Sequence, residues 1–209
     1  LAIIDANNND SVQPFHGAGF YLVYNGEIYN YKAIKSELIK LGHRFYTNSD
    51  TEVIANYLNQ YKGKKLDRLE GMWSFVAIKE DLSEWYCSKD IFSEKPLFSY
   101  QDSSGGIYYS STPKQIITLL GSTYQPKINY SFIKRYLYLG HRGMYEGNET
   151  IYEGVLRIKG NLVIHESFKE WKKEYKIIDI PENKLENQYE QTGENLFTNI
   201  SRAVSNSFV

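Results

Sequence analysis

Tyr24-Asn25-Gly26-Glu27-Ile28-Tyr29-Asn30-Tyr31 is the stretch on which the reading of this chain turns. It follows Phe20-Tyr21-Leu22-Val23, an apolar run that reads as a strand through Tyr24. An amide side chain and a glycine thus come at the strand's end. The Asn25 amide and the Gly26 backbone N–H can offer two neutral donors to one point, as an oxyanion hole requires. Asn-Gly is also a hairpin-turn signal, so a plain tight turn is the alternative. The partner stretch is Ser49-Asp50-Thr51-Glu52-Val53-Ile54. Ser-x-x-Glu ahead of an apolar run is a capping box. It sets Asp50 at a helix start, where its carboxylate either caps the helix or receives a ligand's ammonium group. Together the two stretches point to chemistry on the carboxamide of an amino acid.

Working outward, Ala2 to Asp5 reads as a strand and Asn7 to Ser11 as a polar turn. Asn30 is placed to cap a helix from Tyr31 to Leu41, with Ile34, Leu38 and Leu41 at helical spacing and Gly42 just past its end. His43 to Thr47 reads as a short strand. The helix that follows carries Val53, Ile54, Tyr57, Leu58 and Tyr61 on one side, with Gly63 beyond it. Met72 to Lys79, Glu84 to Lys89, Lys95 to Tyr100 and Ile107 to Ser111 then read as a meander, with turn residues at Glu80-Asp81, Ser93-Glu94 and Gly105-Gly106. Pro113 opens a helix through Leu120. Ser131 to Leu139 reads as another helix. Thr150 to Leu156 and Asn161 to Ile164 read as a hairpin around Gly160. Pro181-Glu182-Asn183 reads as a linker, and Leu196, Ile200, Val204 and Phe208 define a terminal amphipathic helix. Hairpin-spaced strands beside helices make the expected class α+β.

Composition bounds the function. Lys+Arg is 24 against 25 Asp+Glu, a net charge of −1. That balance gives no electrostatic footprint for nucleic acid or an anionic membrane. No apolar run is long enough to span a bilayer, and the first residues are no signal peptide. The single cysteine, Cys87, excludes an intrachain disulfide and suits a reducing compartment, so a cytoplasmic location is expected. Cys87 sits within a strand, where a buried inert thiol is the expected state. The four histidines form no metal-ligand pattern. Asn148-Glu149-Thr150 is a glycosylation acceptor only in a secreted protein. Lys169 to Lys176 alternates Lys with Glu and reads as a solvated edge.

At four places the chain resembles the N-terminal class II glutamine amidotransferase domain of glutamine-hydrolysing asparagine synthetase. They are Asn25-Gly26-Glu27-Ile28-Tyr29-Asn30, Ser49-Asp50-Thr51-Glu52-Val53-Ile54, Leu69-Glu70-Gly71-Met72-Trp73-Ser74-Phe75, and Lys89-Asp90-Ile91-Phe92-Ser93-Glu94-Lys95-Pro96-Leu97-Phe98. The resemblance is strong from Leu1 to about Leu120 and weaker through Tyr175, where Thr150-Ile151-Tyr152-Glu153-Gly154 resembles the end of that domain. It implies an N-terminal-nucleophile hydrolase fold, a four-layer αββα sandwich of two mainly antiparallel sheets. It also implies that a cysteine upstream of Leu1 attacks glutamine, with its own α-amino group as base. Asn25 and Gly26 would form the oxyanion hole, Asp50 would bind the glutamine ammonium group with help from Glu27, and the backbone around Ile3 and Ile4 would line the pocket. The ammonia would pass to a second domain that uses ATP and Mg²⁺ to amidate aspartate. No metal or cofactor is expected within these residues.

On this reading residues 1–178 are the glutaminase domain without its start, and 179–209 are the linker and first helix of the synthetase domain. The expected partners are glutamine and that domain, and a homodimer stays open. The absence of Met and of the catalytic cysteine predicts a truncated, inactive piece. The alternatives are the ammonia-supplying module of another ligase, with a sugar or peptide-like acceptor, and a dead amino-acid-binding or structural module. Three positions depart from the family's usual pattern. Lys89 stands for Arg, Ser93 for Gly, and Thr112 for Glu.

Overall fold

The computed structural model describes residues 12–121, 124–167 and 172–178, with Thr198 and Ser201. Among these residues, nine strands make two sheets. The first holds β1 (Phe15–Gly17), β2 (Phe20–Ile28), β3 (Gly71–Lys79), β4 (Glu84–Lys89), β8 (Leu162–Ser167) and β9 (Lys172–Ile177), in the order β1-β2-β3-β4-β8-β9. The second holds β5 (Phe98–Gln101), β6 (Ile107–Ser110) and β7 (Leu156–Arg157), in the order β6-β5-β7. Every pairing is antiparallel.

Alternation along the strands builds the layers. Trp73, Phe75 and Ala77 of β3 turn to one face of the six-stranded sheet. There they pack with Leu22, Tyr24, Ile34 and Leu38 beneath α1 (Tyr31–Lys40) and α2 (Asp50–Tyr61). Val76 and Ile78 turn to the other face, into a core between the sheets with Trp85, Cys87, Leu97, Ile158 and Ile164. Beyond the second sheet, α3 (Pro113–Leu120) packs Ile116 on Phe98 and Val155. Burying each large apolar side chain contributes about 1.5–3 kcal/mol. The result is the expected α+β order of helix, sheet, sheet and helix. Cys87 is fully buried in the inter-sheet core. Among the described residues no helix is long and apolar enough to cross a membrane.

Several ends follow local chemistry. The α1 terminus is a Schellman turn, with His43 N–H donating to Leu38 O (3.0 Å), Gly42 N–H to Ile39 O (3.0 Å) and Gly42 at φ +93°. Thr112 caps α3, accepting from Gln115 N–H. α4 (Tyr130–Leu139) begins one residue before the expected helix, capped by Asn129 on Phe132 N–H (3.0 Å).

Other readings are corrected. Asn25-Gly26 is neither a turn nor a strand end. The ladder runs on to Ile28, pairing Asn25 with Ser74 and Gly26 with Trp73. Asn30 sits at the N-cap position of α1 without capping it. Its side chain instead donates to Arg68 O (2.9 Å) and accepts from Glu70 N–H (3.1 Å), tying the helix start to the segment before β3. His43 to Thr47 is not a strand. The Tyr46 and Thr47 N–H groups donate to the Glu52 carboxylate, which replaces a neighbouring strand. The capping box is correspondingly half formed, since Ser49 accepts from Thr51 N–H while Glu52 reaches past it to this loop. The hairpin around Gly160 does not exist. β7 pairs with β5 and β8 with β4, so the chain crosses from one sheet to the other. Lys172 to Lys176 does lie on the edge strand, β9. Ala2 to Asp5 and most of the terminal helix lie outside the described residues, although Thr198 and Ser201 are helical.

Candidate functional site

Asp50 begins α2 and is buried against β2. Its Oδ2 accepts from the Tyr24 hydroxyl (2.8 Å) and from Ile28 N–H (3.1 Å). Both of these bonds fall on Oδ2, and the backbone N–H groups of Asp50 and Thr51 at the helix start also favour the charged carboxylate. Burial pushes the Asp50 carboxyl above its ordinary value, and the hydrogen bonds from Tyr24, Ile28, Thr51 and its own N–H counter that only in part. Burial likewise drives the Tyr24 hydroxyl far up, aided by the charge and hydrogen bond of Asp50 and by the Glu27 charge. The phenol therefore stays a donor. Glu27 is buried on β2, opposite Met72. Tyr24 is thus the residue on which the Asp50 and Glu27 charges converge.

The backbone of β2 supplies the second element. Successive N–H groups of a strand point to alternate sides. Tyr24 N–H donates to Gln13 Oε1 (2.7 Å) and Ile28 N–H to Asp50, both away from β3. The Gly26 N–H lies between them on the same side by this alternation. β1 reaches only as far as the Phe15–Leu22 pair, so it does not extend over this part of the edge. Gly26 has φ +153°, and a Cβ there would come 2.1 Å from Met72 O. Across the ladder Gly71 has φ +142°, and its Cβ would come 2.1 Å from Glu27 O. Only glycine at both places lets the two backbones approach this closely.

Asn25 lies on the opposite face of β2 from Tyr24. It lines a cleft of about 530 Å³ between the sheets with Ser74, Leu97, Tyr109, Ser110 and Gln115. Asp50 is not part of that cleft. Of the residues singled out from sequence, Gly26, Glu27 and Asp50 gather around the end of β2, and Asn25 joins them from the inter-sheet side. Ile3 and Ile4 lie outside the described residues. Sequence reasoning missed Tyr24 and Gln13. Tyr24 stands directly before the motif, but its apolar neighbours mark it only as a strand residue, and nothing local shows that its hydroxyl meets a carboxylate 26 positions on.

The β4–β5 loop backs the cleft. Asp90 is buried and accepts from Trp73 N–H (3.3 Å), Glu94 N–H (2.9 Å) and Lys95 N–H (3.1 Å). Pro96 O accepts from the Ser74 hydroxyl (3.4 Å), which fixes the loop's far end beside Asn25's ladder partner.

Comparison with known proteins places the chain in a family. The chain is 32% identical over 117 residues to asparagine synthetase [glutamine-hydrolyzing] 1 of Bacillus subtilis, covering 56% of this chain and 18% of that protein. It is 35% identical over 118 residues to asparagine synthetase [glutamine-hydrolyzing] of Zea mays, covering 56% and 20%. It is 29% identical over 160 residues to putative asparagine synthetase [glutamine-hydrolyzing] 2 of Methanocaldococcus jannaschii, covering 76% and 30%. The matched stretch is therefore less than a third of each relative. Among solved structures, glutamine phosphoribosylpyrophosphate amidotransferase from B. subtilis, complexed with ADP and GMP, superposes with a TM-score of 0.53 at 17% identity. That match covers 84% of this chain and 33% of the other. At that identity the likeness carries the fold alone, the N-terminal-nucleophile hydrolase sandwich of glutamine amidotransferases. A family model described as a glutamine amidotransferase domain matches residues 1–176, and the chain belongs to that family.

Proposed function

We propose that these residues bind glutamine for hydrolysis within a glutamine-dependent asparagine synthetase, which uses the ammonia to amidate aspartate at the expense of ATP. The observation that carries the glutamine reading is the edge of β2. Gly26 N–H and the Asp50-bound Ile28 N–H are one two-residue repeat apart, about 7 Å. A glutamine with its ammonium group at Asp50 extends its carboxamide over a comparable length along the strand. The carbonyl oxygen then meets the Gly26 N–H, with the Asn25 amide as second donor. Charge developing on that oxygen would be stabilised by two neutral dipoles away from bulk water. Asp50 serves as the ammonium acceptor, with Glu27 adding negative charge nearby, and the backbone near Ile3 and Ile4 is assigned to the rest of the pocket.

The nucleophile on this reading is a cysteine outside residues 1–209. Cys87, the chain's single cysteine, is buried between the sheets on β4. The 209 residues by themselves should therefore hydrolyse no glutamine. Among the described residues no three or more His, Cys, Asp or Glu side chains gather as for a metal ion. Magnesium, ATP and the acceptor site are assigned, on the family resemblance, to the part of the relatives beyond the matched stretch. Amidotransferases with other acceptors share the fold, so the acceptor is the part of the proposal that rests on relatedness alone.

The test uses the protein with its natural flanking sequence. Glutamate release should be lost in Asp50→Asn, while synthesis from free ammonia persists. Asparagine, shorter by one methylene, should not replace glutamine. Unchanged glutamine hydrolysis in Asp50→Asn would overturn the assignment of the site.

A further inference from the structure

Lys89 and a residue of the β4–β5 loop, Ser93, touch each other. Lys89 ends β4 and is 1% exposed. Its Nζ donates to the Ser93 hydroxyl and to Ile158 O (3.3 Å). Ser93 holds φ +62°, a conformation that glycine adopts freely and serine does not. A residue placed there against its backbone preference is expected to return something through its side chain. The Ser93 hydroxyl does so, since it accepts from a buried ammonium group that would otherwise keep one described acceptor. Burial, with the nearby Arg157 charge, lowers the affinity of the Lys89 amine for its proton against the favourable Asp90 charge, so each acceptor matters.

These contacts reach both ends of the β4–β5 loop. Ser93 lies midway along it and ties back to the near end, where its N–H donates to Asp90 O (3.1 Å). At its far end Ile158 N–H donates to Leu97 O (2.9 Å), and Leu97 is in the wall of the cleft that Asn25 lines. Gly160 lies under the loop, where a Cβ would come 2.8 Å from the Ser93 Cβ and 3.0 Å from Asp90 O. The loop thus has little room to settle elsewhere.

We infer that Lys89 and Ser93 act as one coupled positioning device, a lysine–serine clamp that holds Pro96–Leu97 against the Asn25 side of the cleft. The structural half stands without any assignment of function. The positioning half rests on the glutamine reading of that cleft.

A double-mutant cycle tests the structural half, with Ser93→Ala measured both in the otherwise unaltered chain and in the Lys89→Met background. With Lys89 present, Ser93→Ala should lower the melting temperature by about 2–6 °C, because a buried ammonium loses an acceptor. In the Lys89→Met background the same change should leave it within about 1 °C. Equal losses in both backgrounds would overturn the clamp. The positioning half is read from glutamine binding in the protein with its natural flanking sequence. Ser93→Ala should weaken the glutamine Kd by about 10-fold, and the double exchange Lys89→Arg with Ser93→Gly should restore it where Lys89→Arg alone does not. A coupled loss of stability with an unmoved glutamine Kd would overturn positioning while leaving the clamp. If wild-type protein fails to bind glutamine, it is the functional reading that falls, and the melting cycle still decides the clamp.

Discussion

Asp50 and Asp90 are both buried carboxylates, one at the head of α2 and one just past β4. They are used differently. Asp90 spends both oxygens on three backbone N–H groups, two of them from the loop it organises. Asp50 takes one hydroxyl and one N–H of β2 on Oδ2, and the N–H groups of its own helix start, Asp50 and Thr51, add to these. A carboxylate that is ringed by N–H donors repays its burial within the fold. The Asp50 carboxyl has not fully recovered its burial cost, and its affinity for a proton is correspondingly raised. The β4–β5 loop is therefore built as a finished support, whereas the head of α2 keeps a carboxyl whose burial is only partly offset.

The largest effect should come from the finished support. Asp90→Ala strands three N–H groups and should cost about 3 kcal/mol or more, since an unsatisfied buried donor costs roughly 1–3 kcal/mol. A chain of this size should then melt about 6–12 °C lower. A shift no larger than that of Asp50→Asn would break the contrast.

The second effect is in the pH dependence of Asp50→Asn. A carboxyl whose folded pKa is raised stabilises the fold below its unfolded value, near 3.8, and loses that contribution as pH rises through the folded value. The wild type should therefore gain on Asp50→Asn in acid and fall behind it towards neutral pH. Glu84 supplies an internal control of opposite sign. Burial would raise it, but bonds from Lys79, Tyr86 and His165 hold it at about 2. Its contribution is present above about 4.5 and is lost as pH falls towards 2. Melting curves across pH for Asp50→Asn and Glu84→Gln check both signs. An Asp50→Asn difference that runs the same way as that of Glu84→Gln would mean that Asp50, like Asp90, is already fully compensated.

The smallest effect is Tyr24→Phe. Removing one hydroxyl from a carboxylate that keeps its backbone donor should cost about 1–2 kcal/mol. The carboxyl should also bind its proton more tightly, moving the acid limb upward in pH. An unchanged acid limb would show that Ile28 N–H alone sets the orientation of Asp50.

Much of this was legible before the structure. The strand at Glu84–Lys89 and the helix at Pro113–Leu120 have the expected bounds, because alternation and an N1 proline are local signals. The misreadings share one cause, a partner outside the local window. Thr150 to Ile164 looks like a hairpin until β5 and β4 each claim one of its strands. His43 to Thr47 has strand-like residues, but the Glu52 carboxylate takes the N–H groups of Tyr46 and Thr47. At the site, Asn25, Gly26, Glu27 and Asp50 stood out as motif residues, while Tyr24 and the Lys89–Ser93 contact did not.

The amino-acid sequence by itself determined the α+β class, the family resemblance and the identity of the polar residues near β2, since these rest on periodicity, capping and local motif order. Tertiary structure alone decided that Asn25-Gly26 stays in a ladder rather than turning, that Asp50 is anchored from β2 through one oxygen, and that Lys89 meets Ser93. Each of those depends on which strand pairs with which and on what is buried. No short window of residues carries that information, because the free energy of a hydrogen bond or a buried charge is set by neighbours that only the folded chain brings together.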